Sequence, residues 1–415
     1  MEVQLLIIGS ELLRGRVQER NLYTLANWCK RQGHNFHMAK IIPDDPSSIS
    51  KGVEKALHTA DLVVVSGGLG PTEDDLTKAA IAKSFNMDMV ESSLAMEYVV
   101  KHYSRIGKTW TPATNHYHIL PQGAVPIFNP AGLAPGIFIE HEQKIVVALP
   151  GVPREFEQML KISLPDLIKL SSISHFPPKE LQEITIRTRS IPEEDIFFKK
   201  CPDLWNALRC FGKIASLPSL TGVDIVVMLN SNSVIQDAKE QIQNLPQMKE
   251  LLPYIWQWGN LSLPELLLQK ANNLGIKIAI AESCTGGLIA SRLTDIPGSS
   301  QSFLGSTVTY SNQAKQNILK VKASSLHDFG AVSLQVAKEM SRGVLDLFQA
   351  DLAIATSGIA GPDGGSPEKP VGTLAVATSY KDIDDAKILQ MRGDRILLKE
   401  RFVTAALFKA LDSIN

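Results

Sequence analysis

The sequence predicts an α/β protein built from two three-layer domains with a smaller α+β module between them. Three features predict this fold class. Apolar runs of strand length end in glycine or polar residues, helical patterns separate these runs, and 415 residues exceed the ~100–200 that one domain usually contains. We therefore expect domains at residues 1–168, 175–253 and 260–415.

Composition and the N-terminal segment favour a globular protein of the cytoplasm. Hydrophobic residues make up 44% of the chain and charged residues 20%, the mixture of folded proteins. With 42 basic and 43 acidic residues and no long run of either sign, the chain lacks the charge pattern typical of nucleic-acid binding. The N-terminus has no basic leader, and no run approaches the ~20 apolar residues of a membrane span. We expect neither a membrane nor a nucleic-acid partner.

Three apolar runs of the first domain are interpreted as strands buried on both faces. They are VQLLIIG (3–9), DLVVVSGG (61–68) and KIVVALPG (144–151). Helical patterns, among them 21–31 and 76–85, accompany these runs, which predicts a parallel, Rossmann-like sheet. Ligands bind at the carboxyl ends of such strands, so we expect the loops 9–11, 67–75 and 150–155 in one crevice.

The loop GGLGPTEDD combines a glycine turn with consecutive carboxylates. Glycine lets a backbone approach a phosphate, and clustered carboxylates hold a divalent cation that bridges to it. The predicted N-terminal nucleotide site consists of Glu11, Gly67, Gly68, Gly70, Thr72, Asp74 and Asp75, with Asp74 and Asp75 as metal ligands. The alternative is that the acidic residues only form the favourable first turn of the next helix.

A linker at SSISHFPP leads into the small module. Its pattern predicts a strand at 181–188, a helix at 193–200, a strand at 222–229 and a helix at 233–245. This topology resembles RNA-binding KH modules, but the segment has no GxxG loop to clamp a nucleotide backbone. We therefore interpret the KH-like module as a spacer or dimerisation unit.

The third domain alternates helix and strand from residue 263 to a final helix at roughly 398–413. Its strand IKIAIAES runs into the turn CTGG before the helix LIASRLTD. Ser283 is therefore predicted at or near a helix N-terminus, where free N–H groups and the helix dipole favour an anion or an oxyanion. The alternative is that Ser283 and Thr285 merely cap that helix.

A serine nucleophile needs a base, and lysine is the better candidate in this domain. The region after residue 260 contains one histidine, His327, with no matching acid motif. Lys315 follows the strand GSTVTY, so its side chain starts from the same edge of the sheet as Ser283. A lysine base must be desolvated, which lowers its pKa. Tyr310 is expected to orient the pair by hydrogen bonding.

The loop ATSGIAGPDGGSPEKPVGT is richer in glycine and proline than a tight turn requires. Glycine exposes backbone N–H groups that cradle phosphate, so we predict a ligand loop, with Arg395 adding charge-assisted contacts. Cys284 is a rival nucleophile to Ser283. Since adjacent strand residues point to opposite faces, only one of the two is expected to reach the crevice.

The segments AESCTGG, TYSNQAK, GAVS and SGIAGPDGGSPEKPVGT together resemble the C-terminal domain of the CinA family, which also occurs alone as nicotinamide mononucleotide deamidase. The resemblance implies hydrolysis of the carboxamide to nicotinic acid mononucleotide and ammonia without a cofactor, in a homodimer. Ser283 would be the nucleophile and Lys315 the base, oriented by Tyr310. The substrate-binding residues that it implies, together with the glycines of the predicted loop, are Cys284, Thr285, Gly286, Gly287, Thr356, Ser357, Gly361, Gly364, Gly365 and Arg395.

The first domain resembles the molybdopterin-binding type of fold found at the front of CinA proteins, through GGLGPTEDD, NPAGLAPG and LPGVPREFEQM. In that family the domain is associated with metal-dependent ADP-ribose pyrophosphatase activity. The family usually has GDELL and GTAPG, whereas this chain has Ser10 and Leu133 at those positions. An acid and a hydroxyl are thus lost, and a domain that binds nucleotide without cleaving it is the alternative.

Overall fold

The computed structural model describes residues 1–72, 75–171, 182–230 and 234–415. It divides into two compact units, Met1–Gln182 and Glu183–Asn415. The segments predicted as the small module and as the last domain both lie in the second unit, each with a sheet of its own. No helix in the described part of the chain has the length and hydropathy that crossing a bilayer requires.

The first unit is a six-stranded sheet with helices on both sides. Its elements in chain order are β1 (Glu2–Ile8), α1 (Ser10–Leu13), α2 (Asn21–Gln32), β2 (Asn35–Ile42), α3 (Pro46–Leu57), β3 (Leu62–Ser66), α4 (Thr77–Ser84), β4 (Met89–Glu91), α5 (Ser93–Arg105), β5 (Ile119–Pro121), β6 (Val125–Ile127), β7 (Gly136–His141), β8 (Lys144–Leu149), α6 (Pro153–Gln158) and α7 (Leu164–Leu170). A π-helical turn, Met159–Ser163, joins the last two helices.

The sheet of the first unit is mixed, so the prediction of a parallel sheet was wrong for part of it. The strand order is β2-β1-β3-β8-β7-β6, and β7 and β6 run antiparallel to their neighbours. The chain returns from β7 to β8 through the short turn at Glu142 and Gln143, which allows only an antiparallel pair. The parallel strands β1, β3 and β8 carry the three predicted loops at one edge.

Burial on both faces explains the continuous apolar runs of this sheet. In β1, Val3, Leu5 and Ile7 pack with the core beneath α2 and α6. The alternate residues Leu6 and Ile8 pack with the core beneath α3 and α4. Helices on both faces make this a three-layer α/β fold.

The second unit contains a four-stranded and a five-stranded sheet. Its elements are β9 (Glu183–Thr188), α8 (Leu204–Arg209), β10 (Gly212–Ser219), β11 (Gly222–Leu229), α9 (Ile235–Gln243), α10 (Met248–Leu251), β12 (Ile255–Trp258), α11 (Leu263–Leu274), β13 (Ile278–Glu282), α12 (Leu288–Thr294), β14 (Phe303–Val308), α13 (Asn312–Leu319), α14 (Ala323–Phe329), α15 (Leu334–Phe348), β15 (Leu352–Gly358), β16 (Thr373–Tyr380), β17 (Ile383–Gln390) and α16 (Arg395–Ser413).

The four-stranded sheet is antiparallel, in the order β10-β11-β9-β12. The sequence pattern missed β10, an edge strand without a buried residue, and β12, which is only four residues long. The segment predicted as a helix at 193–200 contains a π-helix, Asp195–Lys200. The KH-like character of this module stays a prediction.

In the five-stranded sheet, ordered β14-β13-β15-β16-β17, the first three strands are parallel and β16 and β17 antiparallel. Isoleucine, leucine and valine on one face pack against α11, α12 and α16. On the other face, Ala279, Ala281, Ala353 and Ala355 let α15 approach closely. The carboxyl ends of β13, β14 and β15 therefore meet at one edge of a rigid sheet.

Candidate active site

The candidate nucleophile Ser283 lies in the turn that leads from β13 into α12. Gly286 and Gly287 adopt positive φ values of 64° and 92°, and α12 begins only at Leu288. Only glycine adopts this left-handed conformation without strain, which is why the turn ends in two glycines. Ser283 is thereby held at the end of β13, above the edge of the sheet.

Another side chain already occupies the N-terminus of α12. The buried Glu282 carboxylate accepts hydrogen bonds from the N–H groups of Gly287 (2.9 Å), Ile289 (3.2 Å) and Ala290 (3.0 Å). These are the donors that a helix leaves open for an anion. The expected anion site at this helix end is therefore filled by the chain itself.

Ser283 and Lys315 meet as the sequence predicted. Lys315 Nζ lies 3.0 Å from Ser283 Oγ, and Lys315 is only 1% exposed. Lys315 Nζ also donates to the carbonyl oxygens of Thr309 (2.8 Å) and Tyr310 (3.3 Å). Burial lowers the pKa of the Lys315 amine below its usual value of 10.5.

Three oxygen atoms surround the Lys315 amine and can accept all three N–H groups of its charged form. The same contacts also accommodate the neutral form. A neutral amine has two N–H donors and one lone pair, and the two carbonyl oxygens use both donors. The lone pair then faces the hydroxyl of Ser283, which can donate its proton to it. Lys315 reaches this position because Ser311 caps α13 by accepting from the Ala314 N–H (3.1 Å), and the lysine follows one turn later.

Cys284 does not compete with Ser283 as a nucleophile. Its side chain belongs to the apolar core beneath α16, and burial raises the pKa of the thiol to about 12. The reactive form of cysteine is the thiolate, which such an environment suppresses.

Two of the four backbone N–H groups from Cys284 to Gly287 are already engaged. The Gly286 N–H donates to the carbonyl of Ser283 (3.1 Å), and the Gly287 N–H donates to Glu282. The N–H groups of Cys284 and Thr285 have no oxygen acceptor in the part of the chain that the structure describes, and both contact the weakly accepting sulfur of Cys284. These two amides are thus the donors next to Ser283 that an oxyanion could use.

The hydroxyls at the end of β15 form hydrogen bonds within the domain. Thr356 Oγ1 lies 2.8 Å from Thr285 Oγ1, and both residues are fully buried. Ser357 Oγ donates to the carbonyl of Ala331 (2.7 Å). These contacts tie β15 to the turn after β13 and to the GAVS segment; the predicted roles of Thr356 and Ser357 in substrate binding stay predictions.

Arg395 joins the glycine-rich loop to the edge that carries Lys315. It is the first residue of α16, which begins three residues before the predicted start. Its Nη1 donates to the carbonyl of Gly361 (2.6 Å), and its Nη2 lies 3.5 Å from the hydroxyl of Tyr310. Tyr310 is 64% exposed, so it lies at the mouth of the site and contacts Lys315 through its carbonyl.

The glycines of the loop serve different needs. Gly361 and Gly364 have positive φ values of 73° and 89°. Gly365 has no such requirement, but a Cβ there would lie 2.8 Å from the backbone nitrogen of Val371. The loop is therefore folded against itself, and its glycines are explained in part by packing.

Lys399 is a site residue that the sequence reasoning missed. Its ammonium lies 3.7 Å from the position that a Cβ of Gly286 would take, directly beside the Ser283 turn. It follows Arg395 by one turn of α16, and both cations lie near the site. The signal was present as R-x-x-x-K, the spacing that puts two side chains on one helix face.

The N-terminal loops surround a cavity of about 640 Å³ at the carboxyl ends of β1, β3 and β8. Among its lining residues are Glu11, Gly67, Gly68, Gly70, Asp75, Tyr117, Leu133 and Glu155. Thr72 does not line it; its N–H and hydroxyl donate to Asp75 at 2.9 and 2.5 Å. Asp74 lies outside the described residues, and among those described, no three His, Cys, Asp or Glu side chains come together as metal ligands would.

Comparisons with known proteins cover both units. Residues 260–414 match the model of the CinA C-terminal domain, and residues 4–169 match that of a probable molybdopterin binding domain. A competence-damage inducible protein of Halothermothrix orenii is 35% identical over 97% of this chain and 96% of its own length. A CinA-like protein of Chloroherpeton thalassium is 35% identical over the whole of both chains.

Two solved structures align with part of the chain. One is a competence/damage inducible protein from Agrobacterium tumefaciens, 40% identical over 37% of this chain and 93% of that one, with a TM-score of 0.36. The other is a CinA protein from Thermoplasma acidophilum, 34% identical over 40% of this chain and 98% of that one, with a TM-score of 0.37. The full-length relatives and both domain models lead to one conclusion: the chain belongs to the CinA family.

Proposed function

We propose that the C-terminal domain is a nicotinamide mononucleotide deamidase that uses Ser283 as nucleophile and Lys315 as base. The observation that carries this proposal is the 3.0 Å contact between Lys315 Nζ and Ser283 Oγ in a buried setting. A serine next to a desolvated lysine is an arrangement for acyl transfer, in which the lysine accepts the hydroxyl proton. Amides are acyl donors, and the nicotinamide ring carries one.

In the first step, the lone pair of Lys315 accepts the Ser283 proton as Oγ attacks the carboxamide carbon. The amide oxygen becomes an oxyanion, which the N–H groups of Cys284 and Thr285 stabilise. The tetrahedral intermediate then collapses, the C–N bond breaks, and the Lys315 ammonium returns its proton to the departing ammonia. The product of this half-reaction is an ester between Ser283 and the pyridine acid.

Water completes the cycle by the same route. Lys315 takes a proton from water, whose oxygen attacks the ester carbonyl. Collapse of the second tetrahedral intermediate breaks the bond to Oγ, and the proton on Lys315 passes to Ser283. Nicotinic acid mononucleotide leaves, and both side chains return to their starting states.

Positive charge around the site supports a phosphorylated substrate. Arg395 and Lys399 lie on α16, beside the glycine loop and the Ser283 turn. The nearby Glu282 carboxylate is satisfied by backbone donors, so it does not cancel these charges through an ion pair. Arginine and lysine bind phosphate through charge-assisted hydrogen bonds.

The test is ammonia release from nicotinamide mononucleotide, with the acid product identified by chromatography. We expect Ser283→Ala to abolish turnover, because Ser283 supplies the hydroxyl that contacts Lys315 Nζ. Ser291→Ala on the exposed face of α12 is the matched control and should retain full activity. Turnover by the Ser283→Ala variant at the wild-type rate would exclude the mechanism.

A second candidate function, hydrolysis of ADP-ribose at its pyrophosphate, concerns the first unit. It is favoured by the cavity of about 640 Å³, whose glycines and size suit a nucleotide. The described carboxylates do not group as metal ligands, so the described residues do not form a ligand set for the metal that this activity is expected to need. Cleavage of ADP-ribose that requires added Mg²⁺ and is lost in Asp75→Ala would support this activity, whereas binding without cleavage would favour the non-catalytic alternative.

A further inference from the structure

Glu282 is a buried carboxylate whose contacts reach both sides of the candidate dyad. Besides the three N–H groups at the start of α12, it accepts a hydrogen bond from the hydroxyl of Ser306 on β14 (3.4 Å). Its side chain therefore connects the end of the Ser283 turn to the strand that precedes Lys315. The residue is 0% exposed, so these donors replace all of its contacts with water.

The main chain of Glu282 reinforces the same connection. Its carbonyl accepts the N–H of Thr309 at 2.8 Å, just beyond the end of β14. The carbonyl of Thr309 in turn accepts from Lys315 Nζ at 2.8 Å. Glu282 thus holds the turn that bears Ser283. Through its contact with Thr309 it also holds the amine of Lys315 in place.

We infer that Glu282 is a positioning residue that sets the separation between Ser283 Oγ and Lys315 Nζ. The inference rests on the proposed roles of Ser283 and Lys315. Glu282 is adjacent in sequence to the nucleophile, and no contact places its carboxylate against Ser283 Oγ or Lys315 Nζ. It acts by keeping the turn after β13 at a constant distance from β14.

Replacement by glutamine should loosen this connection without changing side-chain volume. Glutamine has one acceptor oxygen, and its NH₂ group would face backbone N–H groups that can only donate. At least one donor at the start of α12 then loses its partner, and the turn can move away from β14. A misplacement of about 1 Å between reacting groups can cost ~10²-fold in rate.

The experiment measures the reactivity of Ser283 with phenylmethylsulfonyl fluoride, by intact-mass spectrometry of the full-length protein. In this reaction Ser283 Oγ forms a bond to sulfur, the S–F bond breaks, fluoride leaves, and Lys315 takes the hydroxyl proton. We expect Glu282→Gln to label ~10- to 100-fold more slowly than the wild type. In nicotinamide mononucleotide turnover, the same variant should lower kcat and leave KM unchanged.

Glu265→Gln is the matched control. Glu265 also caps a helix of this domain with its carboxylate, by accepting from the Ser262 N–H (2.6 Å) at the start of α11. The Glu265→Gln variant should have a lower midpoint of thermal unfolding, but Ser283 in it should be labelled at the wild-type rate. Ser306→Ala, which removes only the contact to β14, should slow labelling by a smaller factor and serves if Glu282→Gln does not fold.

The outcomes separate this inference from the proposed function. If folded Glu282→Gln is labelled at the wild-type rate, Glu282 is not a positioning residue. If that variant does not fold, a wild-type labelling rate in Ser306→Ala overturns the role in the same way. Labelling of the wild type without turnover of nicotinamide mononucleotide would overturn the substrate and leave the positioning role intact. A wild-type protein that is not labelled at Ser283 at all would remove the activated serine and the inference with it.

Discussion

The two glycine turns of this chain look alike in sequence but differ in what surrounds them. Each follows a strand buried on both faces and precedes a helix. In the turn after β13, a side chain from a second strand end arrives, and Lys315 meets Ser283 at 3.0 Å. In the loop after β3, Thr72 bonds within the loop to Asp75, and the Gly67 N–H donates to the Leu149 carbonyl at the end of β8. The two turns therefore differ in their partners, because a buried lysine side chain reaches a hydroxyl only in the turn after β13 among these two.

Glu155 is another carboxylate that lines the N-terminal cavity, and a neighbouring side chain holds it in place. Glu155 Oε2 accepts a hydrogen bond from Asn129 Nδ2 at 2.7 Å. A Cβ at Gly132 would lie 2.3 Å from this carboxylate, so the glycine provides its space. Glu155 is thus fixed in the cavity lining, whereas Lys315 contacts a hydroxyl that the proposed mechanism would deprotonate.

Removal of the lysine should have the largest effect. Lys315→Met should lower kcat for nicotinamide mononucleotide by ~10²- to 10⁴-fold, because no base then accepts the Ser283 proton. Ammonia release measures it. Lys409→Met is the matched control: it removes another buried lysine of this domain, one that pairs with Asp385, and should leave kcat unchanged. Equal losses of kcat in both variants would show that the effect comes from removing a buried lysine and not from removing the base.

Removal of the cations on α16 should affect binding more than chemistry. Arg395→Ala and Lys399→Ala should each raise KM for nicotinamide mononucleotide by ~10- to 100-fold, the worth of a charge-assisted hydrogen bond of about 1.5–3 kcal/mol. Initial-rate kinetics measure it, with nicotinamide riboside, which lacks the phosphate, as the control substrate. A similar loss with the riboside would show that these cations do not bind phosphate.

Activity should rise with pH, because Lys315 must be uncharged to act as a base. Burial lowers the pKa of its amine below 10.5, so protonation below that lowered pKa removes the base and costs about tenfold in kcat/KM per pH unit. The rise of kcat/KM with pH should follow a single ionisation with a midpoint below pH 10.5. A profile that falls as pH rises through this range would contradict a neutral lysine.

The smallest effect is expected in the loop after β3. Thr72→Val should lower the free energy of unfolding of the first unit by about 1 kcal/mol, because Asp75 loses the hydroxyl donor while the N–H donor remains. Urea denaturation measures it. Deamidase activity should not change, and a loss of deamidase activity would indicate that the two regions are not independent.

Much of the active-site geometry followed from strand periodicity. Parallel strands end at the same edge of a sheet, so Ser283 after β13 and Lys315 after β14 were expected close together, as they are. The pattern did not show that two left-handed glycines delay the start of α12, so only the structure shows that Ser283 lies in the preceding turn. Lys399 was missed because its partner in the site, Gly286, is more than a hundred residues away in sequence.

By itself the sequence determined the α/β fold class, the family and the edge of the sheet at which polar residues gather, because periodicity and turn residues are local properties. Only the tertiary structure decided how those residues are used. Cys284 is buried in the core, which raises the pKa of its thiol and makes it a poor nucleophile. The carboxylate of Glu282 accepts the N–H groups at the start of α12 that are otherwise open to an anion. Desolvation and hydrogen-bond partners depend on packing between distant segments, and no local pattern contains them.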